Sequence, residues 1–163
     1  MLFRSGENGR GLRRRRTPYN RRVQVTVLNG VNLGMLGVRE PAVYGTLTHR
    51  ELTERIVAWG AELGVEATVQ QTDHEGEYVQ AIHAARERAD ALIVNPGAWT
   101  HYSYAIRDAL AILACPIVEV HLSEPREREP WRHLSVISDV CAHRIAGHGA
   151  EGYREALAHL VTG

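Results

Sequence analysis

A tyrosine and an arginine lie close together in a glycine-rich stretch, and this pair could supply a base. Arg39 precedes Tyr44 by five residues, and Pro41 stiffens the interval between them. A free tyrosine has a pKa near 10 and becomes a base near neutrality only if its phenolate is stabilised by several kcal/mol. An arginine about 4 Å away supplies about 4 kcal/mol at an effective dielectric constant of about 20. The spacing is therefore adequate for a tyrosinate base, and it equally suits a surface tyrosine beside an unrelated arginine.

A histidine and a glutamate form a second group with chemical potential. Glu119 and His121 are two residues apart in the apolar run IVEVH, so on a strand their side chains share a face. The carboxylate could then orient the imidazole, and a histidine at the end of a strand suits a general acid. The backbone amides of Leu122 and Ser123 follow and could bind an anionic group. A histidine that packs in the core or caps a helix is the alternative explanation.

A third polar group surrounds the sequence NPGAWTHY. Asn95 ends an apolar run, and its amide could donate a hydrogen bond to a developing oxyanion. His101 and Asp108 are seven residues apart, which places them on one face of a helix predicted over 101–113. Thr100 or His101 could instead serve as the cap of that helix.

The composition excludes one route of covalent catalysis. The 163 residues include no lysine, and all 19 basic residues are arginine, so a mechanism that needs a lysine Schiff base is excluded. Cys115 and Cys141 are too few for a disulfide framework or a cysteine metal site and more simply pack as small apolar side chains. The nine histidines are scattered without an HExxH pair, so no metal site is predicted, and metal-assisted hydrolysis is kept as an alternative.

The charges are distributed unevenly along the chain. Residues 1–22 hold eight arginines and a single acid, Glu7, although the net charge of the whole chain is zero. A run of like charges among glycines and asparagines indicates a solvated tail, so 1–21 is predicted to be a disordered leader and 22–163 a single domain. Nucleic-acid binding by the leader is the alternative. The sequence has neither a membrane-length apolar run nor a secretory signal, which predicts a cytoplasmic protein without a membrane partner.

Short apolar runs alternate with amphipathic stretches from Val23 onward. Five strands are predicted, over 23–28, 65–70, 91–95, 117–121 and near 135–140. Four helices are predicted, over about 48–63, 77–89, 101–113 and 150–161, the first opened by a capping box of Thr48 and Glu51. This alternation indicates an α/β fold with a parallel sheet and helices on both faces. Ligands bind beyond the carboxyl ends of such strands. Polar residues follow the predicted strands there, namely Asn29, Asn32, Asp73 to Glu75, Asn95, His121 and Ser123.

Five segments together resemble the type II 3-dehydroquinate dehydratases. They are LNGVNLGMLGVREPAVYG, QTDHEGE, NPGAWTHYSYAIRDAL, EVHLS and GHGAEGY, in the order and spacing of that family, and the match runs from Val23 to Leu160. The resemblance implies a flavodoxin-like fold and a hydro-lyase that converts 3-dehydroquinate into 3-dehydroshikimate through an enolate, in the shikimate pathway. It also implies that no cofactor is needed. The implied assembly is a homo-oligomer, a dodecamer built from trimers, in which active sites meet neighbouring subunits.

The resemblance also assigns roles to individual residues. Tyr44 falls at the position of the proton acceptor, Arg39 at that of the arginine that activates it, and His121 at that of the proton donor. Asn95, through a water, would hold the enolate oxygen, and Glu119 would orient the histidine. Substrate-binding positions of the family are matched by Asn95, His101, Asp108 and Arg132 and by the amides of Leu122 and Ser123.

The chain departs from the usual family form in a few places. The segment 123–135 has Glu124, Pro125 and Pro130 where other residues are usual, but it keeps Arg128 and Arg132. Val31 stands where proline is common, and the leader has no counterpart in the family. Two other functions stay open. A flavin-binding module of the same fold class would be yellow as purified, and a nucleic-acid-binding protein would show salt-dependent affinity that is lost with the leader.

Overall fold

The computed structural model describes residues 21–162 as a parallel sheet enclosed by helices. Its strands are β1 (Val23–Asn29), β2 (Val65–Gln71), β3 (Ala91–Asn95), β4 (Ile117–His121) and β5 (His143–Ala146). Its helices are α1 (Pro41–Tyr44), α2 (His49–Glu62), α3 (Glu75–Arg88), α4 (Tyr104–Ala111) and α5 (Glu151–Thr162). The connections after β1, β3 and β4 also contain short 3₁₀ turns.

The strand order creates a place where a ligand can bind. All neighbouring strands are parallel, in the order β2-β1-β3-β4-β5. The chain moves from β1 to β2 on one side and then to β3 on the other, so the order reverses between β1 and β3. This is the flavodoxin-like order. It confirms the predicted fold class.

An apolar layer covers each face of the sheet. On one face, Val27 of β1 belongs to a buried cluster with Leu52 of α2 and Leu157 of α5. On the other face, the next residue of the strand, Leu28, belongs to a cluster with Ile82 of α3 and with residues of α4. Successive residues of a strand point to opposite faces, so the two layers follow directly from the apolar run of β1. Helices lie on both faces, as predicted.

The predicted capping box at the start of α2 is confirmed. The hydroxyl of Thr48 accepts a hydrogen bond from the N–H of Glu51 at 3.2 Å, and the carboxylate of Glu51 accepts one from the N–H of Thr48 at 2.8 Å. The Thr48 hydroxyl also donates to the Glu51 carboxylate at 2.6 Å. This bond, followed by the one from the Thr48 N–H, lowers the pKa of Glu51. The box satisfies backbone groups that the first turn of a helix leaves without partners, and it ends the loop that follows β1.

The fifth strand predicted near 135–140 is wrong. The strand is His143–Ala146, and a 3₁₀ turn occupies the end of the predicted segment. Val136 and Ile137 are both buried, but they are consecutive and pack into the layer of α3 and α4, whereas a half-buried strand alternates its side chains. The true strand is short, lies at the sheet edge and buries only Ile145, so its apolar pattern is weak.

The helix predicted over 101–113 begins later than expected. Residues before it, including His101, form a 3₁₀ turn, and α4 begins only after Ser103. The hydroxyl of Ser103 accepts a hydrogen bond from a backbone N–H of the first turn at 3.1 Å. Ser103 is therefore the cap, and Thr100 and His101 are not. The prediction that His101 and Asp108 share a helical face is wrong for the same reason.

Most of the predicted leader lies outside the described residues. Its last residue, Arg21, forms an ion pair with Asp90 at 2.8 Å. The boundary between the leader and the domain stays a prediction. Within residues 21–162, no helix combines the length and the apolar character that crossing a bilayer requires.

Candidate active site

A cleft opens at the carboxyl ends of β1, β3 and β4, where the strand order reverses. Its empty volume is about 550 Å³, which includes space open to solvent. Of the residues that the sequence predicts to act or to bind, all but Glu119 and Asp108 line this cleft. They are Arg39, Tyr44, Asn95, His101, His121, Leu122, Ser123 and Arg132.

Two glycines allow the loops after β1 and β3 to approach closely. A Cβ on Gly30 would lie 2.4 Å from the carbonyl oxygen of Pro96, and a Cβ on Gly97 would lie 2.6 Å from that of Val31. Gly97 also has a φ of +66°, where residues with a side chain are strained. Because neither glycine has a side chain, the two loops come close enough for the N–H of Gly30 to donate to the carbonyl oxygen of Asn95 at 2.8 Å. The two loops thus form one wall.

A buried tyrosine orients the asparagines that end β1 and β3. Tyr153 of α5 donates to Oδ1 of Asn29 at 2.7 Å and accepts from Nδ2 of Asn95 at 2.9 Å. Burial raises the pKa of Tyr153 far above its ordinary value, so its hydroxyl stays protonated and can donate. The side-chain oxygen of Asn95 accepts from the N–H of Gly97 at 3.3 Å. The fold therefore fixes the Asn95 amide, which has a second N–H to offer a ligand.

The hydroxyl of Tyr44 lies among arginine side chains. Tyr44 ends α1, and Nη1 of Arg128 donates to its hydroxyl oxygen. The guanidinium carbons of Arg39 and Arg128 each lie 5.4 Å from the centre of the ring. The Tyr44 side chain therefore faces two guanidinium groups. Arg39 is near the tyrosine, as expected, but the direct hydrogen bond comes from Arg128.

The loop that carries Tyr44 is tied to the segment that carries Arg128. Glu40 forms ion pairs with Arg128 at 3.3 Å and with Arg39 at 3.0 Å. Glu40 has a φ of +37°, which is unfavourable for a residue with a side chain. Pro41 begins α1 directly after it. The ion pairs hold this turn in place and thereby fix Tyr44 at the cleft.

His121 ends β4 and lines the cleft, with Glu119 beside it. Nε2 of His121 lies 2.7 Å from Oε1 of Glu119, and both side chains are buried. A carboxylate accepts hydrogen bonds, so Nε2 carries a hydrogen and Nδ1 is the nitrogen left for a ligand. The pairing predicted from the strand periodicity is confirmed.

His101 offers a neutral imidazole to the cleft. Its Nδ1 lies 2.6 Å from the carbonyl oxygen of Leu134, and a carbonyl only accepts, so Nδ1 carries the hydrogen and Nε2 is an acceptor. Burial lowers the pKa of His101 below its ordinary value, and the charge of Arg132 acts in the same direction. Arg132 itself is held by Glu129 at 2.7 Å and by the ring of Trp131, whose centre is 4.0 Å from the guanidinium carbon.

Two further cleft residues, Arg128 and Asn32, had no role assigned from the sequence. Arg128 lies in a run of charged residues without periodicity, and its partner Tyr44 is 84 residues away, so no local signal could have joined them. Asn32 has a φ of +66°, and its N–H donates to Asp73 at 2.7 Å. Its place directly after a strand is the signal that put it among the polar residues expected near a ligand.

Asp108 does not reach the cleft of its own chain. Its side chain is 81% exposed and lies 3.5 Å from Arg107. The other predicted residue outside the lining, Glu119, contacts the cleft only through His121. Of the residues predicted to bind substrate, Asp108 is thus the one that does not line the cleft of its own chain.

The two cysteines do not present a reactive thiolate. Burial raises the pKa of both Cys115 and Cys141, which disfavours the nucleophilic form. Both thiols pack against the layer of α3 and α4, which confirms their predicted role as apolar side chains. Across the described part of the chain, no three histidine, cysteine, aspartate or glutamate residues converge so as to hold a metal ion.

Known proteins resemble this chain over nearly all of the described residues. Residues 23–161 match the sequence profile described as Dehydroquinase class II. The 3-dehydroquinate dehydratase of Leptothrix cholodnii is 54% identical over 143 residues, which are 86% of this chain and 95% of that protein. The one from Pelobacter propionicus is 53% identical over 135 residues, 82% of this chain and 91% of that protein. The crystal structure of type II dehydroquinase from Propionibacterium acnes matches with a TM-score of 0.84 at 46% identity, covering 88% of this chain and 100% of that one.

Proposed function

The chain belongs to the class II dehydroquinase family and dehydrates 3-dehydroquinate, and we propose that Tyr44 and His121 carry the two proton transfers of this reaction. One observation supports this assignment above all. The tyrosine among arginines and the histidine that pairs with a buried glutamate line the same cleft, although they are far apart in sequence. An elimination of water needs a base and an acid in one site.

The first step is the removal of a proton from carbon. The phenolate of Tyr44 takes a proton from the carbon beside the ketone, and the electron pair moves onto the ketone oxygen to give an enolate. Asn95 holds that oxygen through its second amide N–H and a water. Asn32 lines the same cleft and supplies a further amide, because Asn95 is partly engaged by Tyr153. Such donors stabilise the negative charge where it develops.

The second step is the loss of water. Nδ1 of His121 gives a proton to the hydroxyl on the neighbouring carbon, and this hydroxyl leaves as water. The enolate electrons then form the double bond of a conjugated enone, the product 3-dehydroshikimate. Glu119 holds Nε2 at 2.7 Å and so keeps the proton-bearing Nδ1 directed at the substrate. Tyr44 has gained a proton and His121 has lost one, so solvent exchange restores both.

The remaining predicted ligands hold the substrate in place. We assign the substrate carboxylate to the backbone amides of Leu122 and Ser123 and to Arg132, which offers a guanidinium fork suited to a carboxylate. Nε2 of His101 accepts a hydrogen bond from a ring hydroxyl, as its neutral form allows. These contacts orient the ring between the base and the acid.

The overall reaction is testable by absorbance. Purified protein mixed with 3-dehydroquinate is expected to raise the ultraviolet absorbance of the conjugated enone, at the same rate before and after treatment with borohydride. The rate is unchanged because borohydride traps lysine imines and the chain has no lysine. A protein that generates no enone would refute the reaction, and one that borohydride inactivates with substrate present would refute the imine-free route.

We further propose that the chain assembles into trimers, and these into a dodecamer, with Asp108 completing the site of a neighbouring subunit. Asp108 is exposed and lies outside its own cleft. Large apolar side chains near it in sequence or beside the cleft are also exposed, among them Tyr102, Ile112, Trp131 and Leu134. Exposed apolar surface of this kind is typical of protein–protein contacts.

Mixed assemblies test the sharing of sites. Asp108→Ala and Tyr44→Phe chains are each expected to be slow as homogeneous samples. If every site takes Tyr44 from one subunit and Asp108 from another, randomly mixed trimers should recover about a quarter of wild-type activity, because that share of sites has both intact residues. Light scattering gives the mass of the assembly in the same samples. A monomeric mass, or mixed samples no faster than their parents, would refute the shared site.

A further inference from the structure

Charged side chains lie one after another behind His121, the proposed acid of the cleft. Glu119 is fully buried, and one of its oxygens contacts Nε2 of His121 at 2.7 Å. Its other oxygen, Oε2, is buried without a hydrogen-bond partner among the described residues. A buried carboxylate held at one oxygen only can rotate away from the imidazole unless something else restrains it. The next strand supplies such a group.

Arg144 of β5 is the register partner of Glu119 on β4. Residues paired in neighbouring parallel strands point to the same face of the sheet, and Nε of Arg144 lies 3.9 Å from Oε1 of Glu119. This Nε is itself buried and has no hydrogen-bond partner in residues 21–162. The guanidinium of Arg144 and the carboxylate of Glu119 therefore lie within ion-pair distance of each other.

Glu124 holds the far end of Arg144. Its Oε1 accepts from Nη2 of Arg144 at 3.5 Å and from the N–H of Arg126 at 3.1 Å. Partial burial alone would raise the pKa of Glu124, but the Arg126 N–H and the Arg144 charge together lower it. The lowered pKa favours the charged carboxylate. Glu124 begins the 3₁₀ turn after β4, which fixes it. The side chains thus form a line of alternating charge from the cleft to the sheet edge.

We propose that Arg144 is a positioning residue for the acid, which holds the Glu119 carboxylate against His121 and is itself held by Glu124. The inference rests on the proposed function, since it takes His121 as the proton donor for the loss of water. The alternative is that Arg144 only neutralises a buried charge and contributes to stability. The two differ in kinetics, because a misplaced acid slows one chemical step and leaves the other unchanged.

Substitution of Arg144 separates these alternatives. Arg144→Leu is expected to lower kcat about tenfold, equivalent to about 1.4 kcal/mol in the barrier, with KM unchanged. In D₂O the ratio of substrate C–H exchange to enone formation should rise, because Tyr44 still removes the proton while water leaves more slowly. Arg144→Lys should recover part of the rate. Glu124→Gln, which keeps the acceptor for the Arg126 N–H, should slow the enzyme less and have no added effect in Arg144→Leu.

Arg154→Leu is the matched control, because Arg154 lies 3.9 Å from Glu62 on the exposed surface. It should leave kcat and the exchange ratio unchanged. An Arg144→Leu enzyme that melts earlier but keeps kcat and the exchange ratio would overturn the inference. His121→Ala is measured in parallel. If His121→Ala still releases water at the full rate, the proposed function fails, whereas a slow His121→Ala beside a fast Arg144→Leu refutes only the role of Arg144.

Discussion

Tyr44→Phe is expected to lower kcat by about 10²- to 10⁴-fold, the range that a general base contributes, while KM changes little. The substitution removes one oxygen and leaves the ring, which keeps its contacts with the guanidinium groups of Arg39 and Arg128. The remaining ligands of the cleft still hold the substrate. A fall in kcat and kcat/KM by equal factors is the signature of an interaction made only in the transition state.

Isotope exchange distinguishes loss of the base from a general disturbance. With Tyr44→Phe in D₂O, enone formation and the exchange of the hydrogen beside the ketone should fall by the same factor, because both depend on removal of that proton. Tyr104→Phe is the matched control, since its side chain is exposed and lies outside the cleft; it should retain the wild-type rate. If the Tyr44→Phe enzyme kept full exchange, the base would have to be another residue.

Most of the fold could be predicted because its buried strands are continuous apolar runs. Strands β3 and β4 are buried at every residue, and parallel strands covered on both faces carry such runs. The edge strand β5 buries only Ile145. The prediction instead placed the fifth strand at Val136 and Ile137, which lie in an irregular segment and pack against α3 and α4. The prediction failed where burial comes from tertiary packing and not from strand periodicity.

The same limit applies to the site. Asn95 and His121 could be predicted because each ends a strand at the sheet edge where ligands bind, and Tyr44 was found beside Arg39 in the loop. The contact between Arg128 and Tyr44 joins two irregular segments, and irregular segments have no repeat from which a distance can be read. Asp108 could be placed on a helix, but the start of that helix depends on the Ser103 cap.

Two arginines contact the ring of Tyr44, although the sequence indicated only one of them. Sequence spacing favours Arg39 as the activator of the tyrosine, and the structure brings both Arg39 and Arg128 to the ring, with the hydrogen bond from Arg128. Glu40 pairs with both cations, so their charges are partly balanced and their positions are linked. We expect a change at either arginine to affect the other through this carboxylate.

His121→Ala is expected to lower the rate of enone formation by about 10²- to 10⁴-fold, the contribution of a general acid, while exchange of the substrate hydrogen in D₂O continues. Tyr44 and its arginines are untouched, so the enolate still forms and returns. The hydroxyl then has to leave without a proton, which makes it a poor leaving group. His121→Gln tests the same point without leaving Glu119 unpaired, because the amide can donate to the carboxylate while lacking an acidic proton for the hydroxyl.

His159→Ala controls for the loss of an imidazole. His159 lies in the last turn of α5 and stacks on His143 at the start of β5, with ring centres 4.3 Å apart. The start of a strand is the edge of the sheet opposite the cleft, so turnover and exchange should both stay at wild-type levels. The two proton transfers belong to different residues only if the substitutions differ in exchange. Tyr44→Phe should lose exchange and turnover together, whereas His121→Ala should keep exchange and lose turnover. If His121→Ala lost both in parallel, one residue would be serving both steps, and the division of labour between phenol and imidazole would have to be abandoned.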